Sequence, residues 1–413
     1  MASHLSLCLS NSNSDCYNII LYNIAENTYN MIIIKDKSDC CGCTACASIC
    51  VHDAITMQPD ALGFLYPVVD KEKCVDCGVC EKVCAFNDHY DTSLNLPQPD
   101  AYAARHKDIT KLRYSRSGAA FVAFSDYILD KGGVVYGAGY KDHFVVVHKR
   151  ATTKEERDEF RGSKYVQSDM TGIFRNVKND LKTGRLVLFS GTPCQTAGLK
   201  SYIGNRLCHN LILIDIICHS VPSPTIWKDY LAYVEKKCKS RVISLEFRDK
   251  SIGWYQTHLE SFKLANGKTY KDYKLRVFFN LGLGTRPSCE CCKFCNLSRP
   301  SDITIGDFWG YEKIVPEMNE DNKGISLVLC NTTKGQEILR EAAVDLIFKK
   351  VPLEKSLQPN LQQPSEGNSR KNEFAFDYEH KGFDYVIKKY GNGGIINIMR
   401  EFCRKVLRKI VRL

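Results

Sequence analysis

The chain has 413 residues, with 57 Lys and Arg against 47 Asp and Glu, a net charge of +10 and 21 cysteines. That length holds two or three domains with ordinary cores, and the apolar and charged fractions are those of a globular protein. The N-terminus carries no basic start followed by an apolar run, and no stretch approaches the roughly eighteen apolar residues of a membrane span. Cysteines at ligand spacing without an export signal point to metal in a reducing cytoplasm, not to disulfides.

Residues 1–30 are polar and rich in Ser and Asn, and are expected as a disordered extension. The strand-like MIIIKDK from Met31 is expected as the working start, which leaves Cys8 and Cys16 without a role. Residues 31–90 then hold a duplicated pattern. Cys40, Cys43, Cys46 and Cys50 stand in C-x2-C-x2-C-x3-C spacing, and Cys74, Cys77, Cys80 and Cys84 repeat it. Three thiolates two residues apart wrap one face of a cubane, and the fourth begins a short helix pointing away. In two-cluster ferredoxins that fourth cysteine ligates the other cluster. The expected sets are Cys40, Cys43, Cys46 with Cys84, and Cys74, Cys77, Cys80 with Cys50, each holding a 4Fe-4S cluster. Structural zinc and a disulfide knot are the bland alternatives. Alternating segments on either side of Gly63 predict a hairpin between the two runs. Val51 and Ala85 stand where such ferredoxins carry proline, which shapes the chain's exit without ligating.

A polar stretch with two prolines closes this region, and residues 91–100 are expected as a linker. From 101 to 355 helical and strand patterns alternate. SGAAFVAFSDYILDKG reads as an amphipathic helix, VVYGAGY and FVVVHKR as strands, and KEERDEFRGSKYVQS as a helix and turn. RLVLFSG and LILIDIIC read as buried strands, each followed by a helix, CQTAGLKSYIG and TIWKDYLAYVEKKC. This predicts an α/β domain with a largely parallel sheet behind a ferredoxin domain. Ligands gather at the C-terminal strand ends of such sheets, where Cys194 and Cys218 fall.

A third cysteine group, Cys289, Cys291, Cys292 and Cys295, lies in RPSCECCKFCNLSRP. Cys289-x2-Cys292 and Cys292-x2-Cys295 are rival two-sulfur turns, and alone either could be zinc or a redox dithiol. Cys194 and Cys218 bring the count to four, so a third 4Fe-4S cluster on Cys194, Cys218, Cys289 and Cys292 is expected. Ordinary buried thiols are the alternative for Cys194 and Cys218.

The landmarks SGAAFVAFSDYILDKG, RGSKYVQSD, SGTPCQTAGLKSYIG, ICHSVPSP, the Cys289–Cys292 turn and SDITIGDFWG resemble the coenzyme F-420 hydrogenase/dehydrogenase beta-subunit family. The longer members, with an N-terminal two-cluster ferredoxin, are the most similar; relatives include the reductase acting on 7-hydroxymethyl chlorophyll. The resemblance implies FAD and a 4Fe-4S cluster within residues 101–355. No GxGxxG fingerprint follows a strand, so FAD is expected to bind by another geometry. Ser117 and Gly118 at a helix N-terminus suit phosphate, Lys164 suits pyrophosphate or a reduced ring, and Tyr165 suits stacking. Thr192 and Gln195 flank the cluster cysteine. Each has a plain alternative, Ser117 as a cap, Lys164 as a surface charge and Tyr165 as a core aromatic. Asp307 and His219 are the candidate proton donors, with a turn role the plainer reading of Asp307.

Residues 356–413 are expected as a linker and a basic amphipathic helix, with Ile395, Ile396, Met399, Phe402, Val406, Leu407 and Ile410 on one face. Docking on its own domain or a partner is favoured over peripheral contact with the inner face of a membrane. No recognition motif for nucleic acid accompanies its charge. The expected function is a cytoplasmic iron–sulfur flavoprotein oxidoreductase. Electrons would pass from a ferredoxin-type donor or other redox partner through the clusters to FAD, and on to a small-molecule or protein-bound substrate. Two alternatives stand beside it: a non-catalytic electron-transfer subunit serving a partner enzyme, and a metal-stabilised scaffold. Nothing in the residues shows a site for coenzyme F-420 itself.

Overall fold

In the computed structural model, residues 30–87, 90–255 and 259–391 are described. The expectations for the N-terminal extension before Asn30 and for the final basic helix lie outside those residues.

The two cysteine runs fold alike. Two short helices, α1 (Ala45–Ile49) and α2 (Val79–Lys82), each start after a residue with left-handed backbone, Thr44 and Gly78. That turn carries the middle cysteines of each run round one locus. Strands β1 (Ile55–Pro59) and β2 (Leu65–Val69) pair antiparallel as the predicted hairpin, turning through Gly63 at φ 79°.

An eight-stranded sheet follows. Its strands are β3 (Asn95–His106), β4 (Val134–Lys141), β5 (Val145–Ala151), β6 (Val187–Gly191), β7 (Leu211–Ile216), β11 (Ile303–Asp307), β12 (Ser326–Thr332) and β13 (Leu346–Lys350). Their order is β13-β3-β12-β11-β7-β6-β4-β5. Strands β8 (Val242–Glu246), β9 (Glu260–Leu264) and β10 (Thr269–Asp272) form a separate antiparallel sheet. Helices α3 (Ala120–Asp130), α4 (Lys154–Asp158), α6 (Pro193–Ile203) and α7 (Pro224–Cys238) fall where the sequence patterns place them, and α5 (Ile173–Lys182) is a helix those patterns do not single out.

The expectation of a largely parallel sheet needs correction. Only β4, β6, β7 and β11 run parallel; β5, β12, β3 and β13 are antiparallel to their neighbours. A three-residue turn joins β4 to β5, too short for a crossover, so that pair must be antiparallel. The parallel centre is covered on both faces, and Val134, Val187, Leu188, Phe189, Leu211, Ile212, Ile214 and Ile303 are all buried. That is why these strands read as continuous apolar runs.

Two expected linkers also differ. Within 91–100, β3 begins at Asn95. Pro97 and Pro99 are tolerated because β13 pairs with β3 only from Tyr102 onward, and the β12 pairing is irregular opposite this half. Within 356–413, helices α8 (Lys371–Lys381) and α9 (Phe383–Lys389) pack Phe374, Phe383, Val386, Ile387 and Tyr390 into one core with α7.

Candidate iron–sulfur and electron-transfer centre

None of the described cysteines is in a disulfide. Burial first, then the charges of Cys43, Cys40 and Cys84, push the Cys46 thiol well up, so these four sulfurs share one locale. Gly42 donates its N–H to Cys40 Sγ at 3.4 Å. The second group is more open. Cys80 is buried and accepts the Ile32 N–H at 3.2 Å, Cys50 and Cys74 pack beside it half-buried, and Cys77 is exposed.

A second convergence of thiols forms at the C-terminal ends of β6 and β7. Cys194 opens α6, seated by Pro193 and by a capping box between Thr192 and Gln195. Cys218 follows β7. The Cys218 thiol is pushed well up, by burial and then by the charges of Cys289, Cys194 and Cys292. Cys289 is pushed up to about 12 by burial, with Cys194 and Cys292 adding to it. The four cysteines line one cavity with Cys41, Cys295, His219, Arg286 and Arg299. The contact with Cys295 lowers the Cys292 thiol to about 7. Cys291 is exposed and turns instead toward the Ser38 and Ser288 carbonyls. The donor set in this cavity suits a 4Fe-4S cluster: four soft sulfur ligands, two after rigid strands and two from the cysteine loop.

The two convergences adjoin. Cys41 is buried and its thiol meets both Cys194 and Cys43, which with burial raise it well above its ordinary value. Helix α6 packs directly on Cys43, where a Cβ added at Gly198 would lie 2.7 Å from Cys43 Sγ.

Arg299 holds the cysteine loop onto the strand ends. It donates to the Phe294 carbonyl at 2.6 Å, to Asp215 Oδ1 at 2.9 Å and to Thr304 Oγ1 at 3.2 Å, and both Arg299 and Asp215 are fully buried. Losing one partner of such a pair costs about 3–5 kcal/mol, because the other charge is stranded.

A strip of side chains leads from Cys218 to the end of β11. The His219 ring meets Phe279 edge-on at 5.1 Å, Phe279 packs at 5.1 Å on Tyr165, and Arg248 donates to Tyr165 Oη at 3.1 Å. Arg248 also donates to Asp307 Oδ2 at 2.5 Å, Trp254 Nε1 to Asp307 Oδ1 at 3.0 Å, and Ser117 Oγ to the same carboxylate. Arg116 lies 3.9 Å from it. Burial works to raise Asp307, but the Arg248 and Arg116 guanidiniums outweigh it and hold the carboxyl well below its ordinary range. Burial and the Arg116 charge together push Lys250, beside Ser117, down to about 7. The group is over-positive, and the Nε atoms of Arg116 and Arg248 are buried without a hydrogen-bond partner.

His106, Asp126 and Asp345 also bring ligand atoms together. Nδ1 of His106 accepts the Asp108 N–H, which puts the ring proton on Nε2, and Asp126 is already paired with Lys111 and Arg157. That arrangement is an ion-pair cluster and not a metal site.

Residues 184–356 match the family model for the C-terminal part of the coenzyme F420 hydrogenase/dehydrogenase beta subunit. The chain carries this family's C-terminal domain over that stretch. Residues 39–87 match the 4Fe-4S dicluster domain, so the chain carries an iron–sulfur electron-transfer module ahead of that domain. A chain of the F420-reducing [NiFe] hydrogenase complex from Methanosarcina barkeri is 18% identical, over 73% of this chain and 95% of that one, with a TM-score of 0.46. No curated protein matches. Among the described residues, no helix is long and apolar enough to cross a membrane.

The candidate cofactor residues fall in different places. Ser117, Tyr165 and Asp307 come together through Arg248. Gly118 and Lys164 are committed elsewhere, which corrects their expected roles as phosphate donors. The Gly118 N–H is held by Ser326 Oγ at 2.9 Å. Lys164 Nζ caps the carbonyls of Glu159, Arg161 and Gly162, and burial pushes it down to about 7. Thr192 Oγ1 lies 3.1 Å from Cys194 Sγ, whereas Gln195 serves the helix cap and donates to Ser168 Oγ. His219 is an exposed rim residue braced by Asn360 and Ser365. The Arg248 and Arg116 guanidiniums that hold Asp307 well below the usual carboxylate range work against the proton-donor role expected of it. Sequence reasoning missed Cys41, Arg116, Arg248, Arg286 and Arg299; the one local signal was that Arg286 and Arg299 bracket the third cysteine group.

Proposed function

We propose that this chain is an iron–sulfur flavoprotein oxidoreductase in which a dicluster ferredoxin domain feeds a third 4Fe-4S site and an FAD. Cys40, Cys43, Cys46 and Cys84 would hold one ferredoxin cluster, and Cys74, Cys77, Cys80 and Cys50 the other. Cys194, Cys218, Cys289 and Cys292 would hold the third. One observation carries the reading: four thiols line one cavity, Cys194 and Cys218 after the ends of parallel strands and Cys289 and Cys292 in the loop that closes over them, directly against the first ferredoxin site through Cys41. The clusters supply one-electron transfer, and a flavin exchanges one electron or two. The chain's own residues exclude water, place the thiols, and fix the surroundings of each sulfur.

For the flavin, the cation group around Asp307 fits better than the Ser117–Gly118 turn. Arg116 and Arg248 offer unpartnered donors to a phosphate, Tyr165 and Phe279 lie between them and Cys218, and Trp309 stacks on Trp254 at 4.7 Å with its edge exposed. Within this reading Arg116 binds, Tyr165 packs, and Asp307 orients Arg248 through a fixed ion pair. The redox partner and the substrate are proposals of class only: a one-electron carrier at the exposed Cys77, and an acceptor near the cation group.

The second reading is a non-catalytic electron-transfer subunit serving a partner enzyme. It draws support from Gly118 and Lys164, whose polar atoms are already engaged within the chain. Anaerobic purification with iron, sulfide and flavin measured on one sample separates the two. About twelve irons and one FAD per chain fit the first. About twelve irons without flavin fit the second, and about eight irons would remove the third site.

A further inference from the structure

Four arginines with fully or nearly fully buried side chains lie in the described residues, and three have a carboxylate. Arg157 pairs with Asp126, Arg299 with Asp215 and Arg248 with Asp307. Arg286 is fully buried and, among the described residues, pairs with no carboxylate. Its donors go to neutral oxygens: Nε to the Cys40 carbonyl at 2.8 Å, and the two terminal nitrogens to Gln167 Oε1 at 2.9 Å and the Leu65 carbonyl at 3.0 Å. Tyr66 and Phe64 lie against its face at 4.3 and 5.6 Å. A buried guanidinium keeps its charge and is costly without a counter-ion, so an anion has to stand close by.

Among the described residues, the candidates are the two thiol groups it lies between. Arg286 holds the Cys40 carbonyl on one side and on the other lines the cavity with Cys194, Cys218, Cys292 and Cys289, which follows it by three residues in the chain. Gly42, between Cys40 and Cys43, has φ 71°, and a Cβ there would sit 2.8 Å from the guanidinium, so the first cysteine turn closes directly over the charge. A cubane held by four thiolates is a net anion, and each electron it accepts makes it more so. A fixed cation beside it therefore favours the reduced form.

We propose that Arg286 is the shared countercharge of the Cys40/Cys43/Cys46/Cys84 site and the Cys194/Cys218/Cys289/Cys292 site, raising the reduction potential of both and leaving the exposed Cys50/Cys74/Cys77/Cys80 site unmoved. It acts through the clusters as a positioning and tuning residue. The inference rests on the three-cluster reading above.

The test is an EPR-monitored potentiometric titration of the full-length, anaerobically purified protein, with iron counted on every sample. Wild type must first show three clusters; about eight irons would sink the three-cluster reading before Arg286 is examined. In Arg286→Gln two of the three signals should move to lower potential. The oxidised-to-reduced ratio at fixed potential should change at least tenfold, about 59 mV for one electron. The third signal should stay. Arg286→Lys should restore the potentials. Gln167→Glu gives an independent route, placing a carboxylate against Arg286 without removing it, and should lower the same two signals even where Arg286→Gln fails to retain iron. Unchanged potentials in an iron-replete Arg286→Gln or in Gln167→Glu overturn the proposal. So does a common shift of all three signals, or a shift in Arg286→Lys as large as in Arg286→Gln.

Discussion

The first and second cysteine runs share one spacing and differ in what surrounds them. The first is pressed into the rest of the protein. Arg175 from α5 donates to the Ser48 and Cys50 carbonyls at 3.1 and 3.0 Å, Arg286 grips Cys40, and Cys43 and Cys46 are buried. The second is left at the surface, where Cys77, Val75 and Val79 are exposed. Duplicated ligand spacing thus fixes what each site binds, and the packing around it fixes with what it exchanges. A site sealed against α6 communicates inward. A site with an exposed sulfur suits a carrier that arrives from outside.

The widest break in that comparison comes from removing the inward neighbour. Replacing both Cys194 and Cys218 by Ala should cost about four irons per chain and leave the two ferredoxin sites loaded, as read by iron analysis and EPR. Retention of all the iron would show that the cavity thiols are not ligands. Next in size, Arg299→Met should destabilise the protein by about 3–5 kcal/mol in urea unfolding, because Asp215 stays buried without its partner. A loss within error of zero would mean that the cysteine loop is held by other means. A gentler probe sharpens the contrast between the runs. An iron chelator added to the oxidised protein should bleach the Cys77 site several-fold faster than the buried pair, and Cys77→Ala should abolish the fast phase. A single uniform phase would erase the difference between the runs.

The smallest effect is a pH dependence centred on His148. Its Nε2–H donates to the Ser190 carbonyl at 3.0 Å and Nδ1 accepts from Ser168 Oγ at 2.8 Å, and burial pushes it down from 6.5 to about 4. The unfolded chain therefore takes up a proton that the folded chain refuses. Stability is full above pH 6.5, falls as pH drops below it, and the loss is complete below about 4. Comparing urea midpoints at pH 7 and pH 5, His148→Gln should flatten this slope. An unchanged slope would assign it to other groups.

Much of this was legible in the sequence because the signals are local. Ligand spacing is set within a single turn, and the buried strands β6 and β7 announce themselves as apolar runs that end beside Cys194 and Cys218. The long-range arginine contacts were not legible. Arg286 meets Cys40 across 246 positions and Arg299 meets Asp215 across 84, and no periodicity links such partners. The Ser117–Gly118 turn misled for a related reason. A helix start looks like a phosphate cradle until the neighbouring strand is in place, and here Ser326 of β12 has taken the N–H. The segment from Lys371 was hidden by composition. Polar residues dominate α8 and Gly382 cuts it from α9, so neither helix alone shows enough of the face that buries Phe374 and Val386.

Gly198 carries a consequence of a different kind. With no side chain there, α6 lies flush on Cys43, and the helix that presents Cys194 is also the seat of the ferredoxin turn. A carrier seated in this way is not a shuttle. In the proposed electron path its effective concentration at the acceptor would be set by the fold and not by diffusion, so the inward step would be first-order in the protein and indifferent to dilution or to ionic strength. Rate limitation, and any control by supply, would then fall on the exposed end, where the proposed redox partner has to collide.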